Sequence, residues 1–243
     1  MCTLSVINTM PGHGEEGYRL VMNRDEQRTR KPALPPEWHE RDGTLAMWPT
    51  DPDSGGTWIA SRTDGLTLAL VNSYPEPQPE LRNDLVSRGV IIPEMIYRDG
   101  IEDIIDAFDK VEIELFAPFR LVMIDFFANE ETAQSVPMIA VLDWNLREIA
   151  VEIHQDGPLC LVSSGLGDSA VAPRLELFER TVLEGRLTTR KQDVFHNHRW
   201  HDRPEVSVMM EREEARTVSV TTVEMSPYFS DDSEIMTYRS IEL

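Results

Sequence analysis

The succession of strand-like and helix-like segments constrains this 243-residue chain more tightly than any single residue. β-rich runs occupy Thr3 to Asn8 and Tyr18 to Met22, then Thr57 to Ala60 and Leu66 to Val71. The Asp64-Gly65 pair between the last two is a strong hairpin signal. Helical stretches are expected from about Asn83 to Tyr97 and from Ile101 to Val111, where Ile101, Ile104, Ile105 and Phe108 recur at helical spacing. Strands return at Phe119 to Ile124, Met138 to Leu142 and Ile149 to Ile153, with Asp143-Trp144-Asn145 read as a turn. Leu175, Leu177, Phe178 and Val182 mark a further helix, Gln192 to Trp200 another, and strand-like runs at 217–223 and 235–241 close the chain. Strands, helices, strands, helices, strands is the order that a four-layer αββα sandwich requires, although periodicity alone also admits other α+β layerings.

The first hairpin carries the chemistry. Cys2 is small enough that removal of Met1 is expected, which would leave a thiol and a free α-amine on one residue. A thiol with a pKa near ~8.5 beside an amine near ~8 can be activated by proton transfer to that amine. A turn around Pro11-Gly12 leads into the second strand, which runs straight into Asn23-Arg24-Asp25-Glu26. Pairing two strands side by side brings the end of one near the start of the other, so this quartet is expected beside Cys2. A carboxylate there could hold the α-ammonium, and an amide could orient it.

Met1-Cys2-Thr3-Leu4, the Asn-Arg-Asp-Glu quartet, Gly55-Gly56-Thr57-Trp58 and Leu70-Val71-Asn72 resemble the NRDE-domain family, also called the transport and Golgi organisation protein 2 family. The resemblance extends over the chain and implies one domain, 1–243, with the αββα fold of N-terminal-nucleophile hydrolases such as choloylglycine hydrolase and the penicillin acyltransferases. Carried over residue by residue, it makes Cys2 the nucleophile, Asp25 the carboxylate for its α-amine, and Asn72 an oxyanion donor, with Asn23 and Arg24 completing the motif. Loss of one oxyanion donor typically costs about 100- to 1,000-fold in turnover. Met22 stands where the bile-salt hydrolases carry an arginine, and Ser164 where they carry a second asparagine. The candidate substrate-binding residues are Ser164, Arg216, whose stretch Ala215-Arg216-Thr217-Val218-Ser219 resembles one in the family, and Trp58, which also reads, and more simply, as a packing aromatic.

Composition narrows the partners. With 43 acidic residues against 23 Lys and Arg, the formal net charge of −20 disfavours nucleic acid and anionic membranes. No apolar run reaches the length of a membrane span, and the start lacks a secretory signal pattern, so the cytoplasm is the default compartment. Two cysteines exclude a multi-bridge disulfide scaffold, and Cys160, in an apolar strand, reads as a core thiol. The proline- and charge-rich stretch 27–54 reads as a long excursion of the kind that forms lids or walls.

Other constellations yield to plainer readings. His196, His198 and His201 crowd together without a thiolate or definite carboxylate ligand, so they read as a solvated helix end and no metal is expected. Gly165 and Gly167 mark a strand-to-helix turn, and the absence of a Gly-x-Ser-x-Gly elbow argues against a serine hydrolase. Two functions follow as expectations. One is an N-terminal-cysteine amidohydrolase or acyltransferase acting on a nonpeptide linear amide, with no cofactor. The other, implied by the family's connection with Golgi organisation and with haem or lipid handling, is a non-catalytic binding or trafficking protein for an apolar ligand.

Overall fold

The computed structural model describes residues 2–9, 17–129, 134–154, 157–226 and 235–241. Among these residues, twelve strands form two antiparallel sheets. The first sheet has five strands: β1 (Cys2–Thr9), β2 (Gly17–Gln27), β10 (Leu159–Ser163), β11 (Ala215–Met225) and β12 (Met236–Ser240), in the order β10-β1-β2-β11-β12. The second has seven, running in sequence order: β3 (Leu34–Arg41), β4 (Thr44–Thr50), β5 (Ile59–Arg62), β6 (Thr67–Asn72), β7 (Phe119–Asn129), β8 (Gln134–Trp144) and β9 (Ile149–His154).

Three buried clusters establish the layering. Between the sheets lie Leu4 and Val6 of β1, Tyr18, Leu20 and Met22 of β2, and Ala69, Val71, Val122 and Ile124 of the opposing sheet. On the outer face of the seven-stranded sheet, helices α1 (Ile91–Met95) and α2 (Ile101–Phe108) bury Ile92, Ile104 and Phe108 against Leu68, Leu121 and Phe119. On the outer face of the other sheet, α3 (Pro173–Phe178) and α4 (Thr189–His196) bring Leu177, Phe178 and Phe195 against Ile7. Burying each such Leu, Ile or Phe contributes about 1.5–3 kcal/mol. The fold is the four-layer αββα sandwich expected from the sequence.

Local signals explain the helices. In α2, Ile101, Ile104, Ala107 and Phe108 share the buried face, and Glu102 and Asp103 in the first turn face the positive end of the helix dipole. Pro173 opens α3 at a position where its missing N–H costs nothing. Thr188 caps α4, its side chain accepting a hydrogen bond from the Lys191 N–H at 3.3 Å.

Several expectations are corrected. The stretch 27–54 is not an irregular excursion, because most of it forms the β3–β4 hairpin at the edge of the larger sheet. The helix expected over 83–97 is reduced to a 3-10 turn at Arg88–Val90 followed by α1. Asp143 and Trp144 belong to β8, and the turn follows them, with Leu146 at φ 74°. The later helix ends as a π-type turn over Glu179–Leu183. The Pro11-Gly12 turn lies outside the described residues.

Candidate functional site

Strand register places the site. Cys2 opens β1 and sits opposite Arg24 of β2 on one side and Ser163 of β10 on the other. Side chains alternate along a strand, so Cys2 follows Leu4 and Val6 into the space between the sheets, at the end of the sandwich. There a cavity of about 440 Å³ opens, lined by Cys2, Arg24, Trp58, Asn72 and Arg88 among others. The Cys2 main-chain nitrogen donates to Ser163 Oγ at 3.1 Å. Burial pushes the Cys2 thiol pKa up, and the nearby Asp25 charge acts in the same direction. Arg24 and a hydrogen bond from the Asp25 backbone N–H pull it down.

Asp25 is itself buried, where its Oδ1 accepts from Thr217 Oγ1 at 2.6 Å and its Oδ2 lies 3.6 Å from the Arg174 guanidinium. Burial raises its pKa, while Arg174 and the Thr217 hydroxyl oppose the rise. Arg174 also donates to Thr3 Oγ1 at 2.7 Å and to the Val206 carbonyl at 3.0 Å, tying α3 to the sheet beneath Cys2. The register of β2 with β11 shifts between Thr217 and Ser219, a bulge directly opposite Asp25. Such irregularities commonly re-aim side chains beside sites.

The other wall is charged. Arg24 Nη2 lies 2.6 Å from Asp51 Oδ2 and 3.3 Å from Glu26, with its guanidinium stacked 4.4 Å over the Trp58 ring. Arg30 pairs with Glu26 at 3.2 Å and with Asp51 at 3.4 Å. Asn72 Nδ2 donates to Tyr74 Oη at 3.4 Å. Arg88 enters from the 3-10 turn after the β6 loop, which docks on the Gly55-Gly56-Thr57-Trp58 segment through a 3.0 Å hydrogen bond from the Thr57 N–H to the Gly89 carbonyl. A Cβ on Gly56 would meet the Gly89 carbonyl carbon and oxygen at 2.5 Å, so only glycine permits this approach.

Of the residues singled out in the sequence, Cys2, Arg24, Asp25, Trp58 and Asn72 line one cavity. Asn23 does not join them, because its side chain points to the helix side of the sheet. There its Nδ2 donates to the carbonyls of His196 and Val208 at 2.9 and 3.0 Å, and its Oδ1 lies 2.7 Å from His196 Nδ1. Since that oxygen can only accept, Nδ1 carries the proton, and Nε2 is left to accept from Ser5 Oγ at 2.7 Å. Ser5, His196 and Asn23 thus have the partners of a catalytic triad, but Ser5 has no exposed surface and the group ties α4 to the sheet. His196 is buried rather than solvated, contrary to expectation, and burial pushes its pKa down to about 3.

Ser164 is likewise buried outside the cavity lining. Its Oγ accepts from Arg212 at 2.9 Å and its N–H donates to Asp168 at 3.1 Å. Arg216 borders a neighbouring cavity of about 330 Å³. The residues that sequence reasoning missed are Ser163, Arg174, Thr217, Asp51 and Arg88. Each acts through a partner distant in sequence, and only Gly-Gly before Thr57 hinted at a close backbone approach. No group of three or more His, Cys, Asp or Glu among the described residues could hold a metal ion. No helix among them is long and apolar enough to cross a membrane.

Solved structures resemble this chain to different degrees. The N-acylethanolamine-hydrolyzing acid amidase ortholog of Caenorhabditis elegans superposes with a TM-score of 0.61 at 12% identity, each chain covered in full. Two variants of the conjugated bile acid hydrolase of Clostridium perfringens match at 9% identity, with TM-scores of 0.45 and 0.46, over 98% of this chain and 92% and 97% of theirs. No curated protein sequence matches. The sequence profile of the Transport and Golgi organisation 2 family matches residues 1–172, and the chain belongs to that family.

Proposed function

We propose that the protein is an N-terminal-cysteine amidohydrolase or acyltransferase acting on a nonpeptide linear amide. The observation that carries this reading is the convergence of Cys2, Asp25 and Asn72 on one cavity at the end of the sandwich. With Met1 removed, the Cys2 α-amine takes the thiol proton, and the thiolate attacks the amide carbonyl carbon. The oxyanion forms within reach of the Asn72 amide. Collapse of the tetrahedral intermediate breaks the C–N bond, and the α-ammonium returns its proton to the leaving amine. Water, or an acceptor amine, then attacks the thioester with the α-amine as base, releasing the acid or a new amide and restoring the thiol. Ser163 orients the Cys2 nitrogen, and Asp25 places negative charge beside the ammonium.

The amidase likeness of the worm enzyme supports the fold, and its chemistry enters here as analogy. The apolar-ligand alternative draws less support, because Arg24, Arg30, Glu26, Asp51 and Arg88 line the cavity. The test is amine release from a panel of N-acyl amides by purified protein. Activity should vanish in Cys2→Ala; a mutant as active as the parent would exclude the mechanism.

A further inference from the structure

We propose that Arg88 is the anion anchor of the Cys2 cavity, holding a carboxylate carried by the substrate, and that the Gly56–Gly89 contact sets it there. The substrate half of this statement rests on the amidohydrolase reading; the anion site itself does not.

The charges around the cavity leave Arg88 over. Arg24 and Arg30 are matched by Asp51 and Glu26 at 2.6 to 3.4 Å. Asp25 is matched from below by Arg174. Arg88, by contrast, has neutral hydrogen-bond partners among the described residues: its Nη1 donates to the Pro118 carbonyl at 2.7 Å, and its guanidinium meets the Tyr74 hydroxyl. Those two acceptors leave further N–H donors of the fork unused. The guanidinium is partly buried, which pulls its pKa down, while the Tyr74 hydroxyl and the charges of Cys2 and the more distant Glu26 oppose the fall. Trp58, 7% exposed, lines the cavity with its indole N–H lacking an acceptor. A guanidinium with spare N–H donors at the cavity wall suits a planar, doubly accepting anion, and a carboxylate is that group.

The backbone explains why Arg88 is held. Ser87 Oγ accepts from the Gly89 N–H at 3.3 Å, closing the turn, and the Gly89 carbonyl is bound by the Thr57 N–H. The Gly-Gly-Thr-Trp segment therefore presents Trp58 and seats Arg88 in the same cavity.

Paired alkylating reagents of similar size test the anchor. Cys2 modification is timed with iodoacetate and with iodoacetamide, in the parent and in Arg88→Gln, which keeps a donor for Pro118. Thiol reactivity cancels in the ratio of the two rates. That ratio should fall about ten-fold in Arg88→Gln; an unchanged ratio overturns the proposal. Should neither reagent modify Cys2, the nucleophile reading fails, and the anchor is decided by calorimetry on Cys2→Ala. There N-hexylsuccinamate, with its carboxylate on the acyl side, or N-hexanoylglycine, with it on the amine side, should bind at least ten-fold more tightly than neutral N-hexylbutanamide. Arg88→Gln should erase that preference. Equal affinity of all three ligands for Cys2→Ala overturns the anchor, whether or not the parent protein hydrolyses amides.

Discussion

His196 shows how one buried side chain ties stability to pH. Its ring is held between Ser5 and Asn23 at 2.7 Å on each side, with Nδ1 protonated and the ring neutral. Its folded pKa, about 3, lies below the unfolded value near 6.5. The unfolded chain therefore binds the extra proton first as the solution is acidified. The stability from neutral His196 is fully present above about pH 6.5 and is lost as pH falls towards 3, with a limiting slope of about 1.4 kcal/mol per pH unit. Urea unfolding at pH 7 and pH 4 should show a smaller loss on acidification in His196→Gln than in the parent, and equal losses would refute the assignment. None of this was legible in the sequence, where the neighbouring histidines suggest a wet helix end. Asn23 misled in the same way: its membership of the quartet was plain, but strand alternation turns it away from Cys2. Cys2 could be placed because it opens an apolar strand, and Asp25 because its quartet follows one; Asn72 was named through the family resemblance.

At the scale of elements, the turn at Arg88–Val90 and the segment before Trp58 behave as one unit. Gly56→Ala would drive a methyl group into the Gly89 backbone, which cannot rotate away as a side chain could. Overpacking of this kind costs about 1–3 kcal/mol. Urea melts should register a loss of that size in Gly56→Ala, and a stability equal to that of the parent would show that the two segments are not clamped. The double glycine was visible in the sequence, but the partner of Gly56, Gly89, lies 33 residues away by number and in no periodic run. The β3–β4 hairpin escaped for a different reason. Most of β3 is exposed, and Pro35 and Pro36 fall where its register with β4 shifts. An edge strand tolerates proline and needs no apolar alternation, so it reads as a loop. The helix expected from Asn83 failed because Leu85, Val86 and Val90 are exposed or half-buried, and the Gly89 backbone docks on Thr57 before α1 begins.

Across the whole molecule, the two sheets and their helical coats bring the ends of β1, β2, β6 and β10 to one mouth. Layer order was legible because inter-sheet strands and outer helices leave different apolar periods, as in Ile101, Ile104 and Phe108 against Leu4 and Val6. The cavity was not, since it arises from strand ends and loops whose spacing no periodicity records. The chain as a whole carries a formal net charge of −20, while the cavity gathers Arg24, Arg30 and Arg88 beside Asp25, Glu26 and Asp51. The most direct test of the proposed chemistry is to trap the acyl group. Protein incubated with an activated N-acyl anilide is quenched in acid within seconds and its intact mass and peptides are measured. A chain that begins at Cys2, with the acyl mass on that residue and removable by hydroxylamine, is the expected result. A chain that keeps Met1 and gains no mass at Cys2 under the same conditions contradicts it.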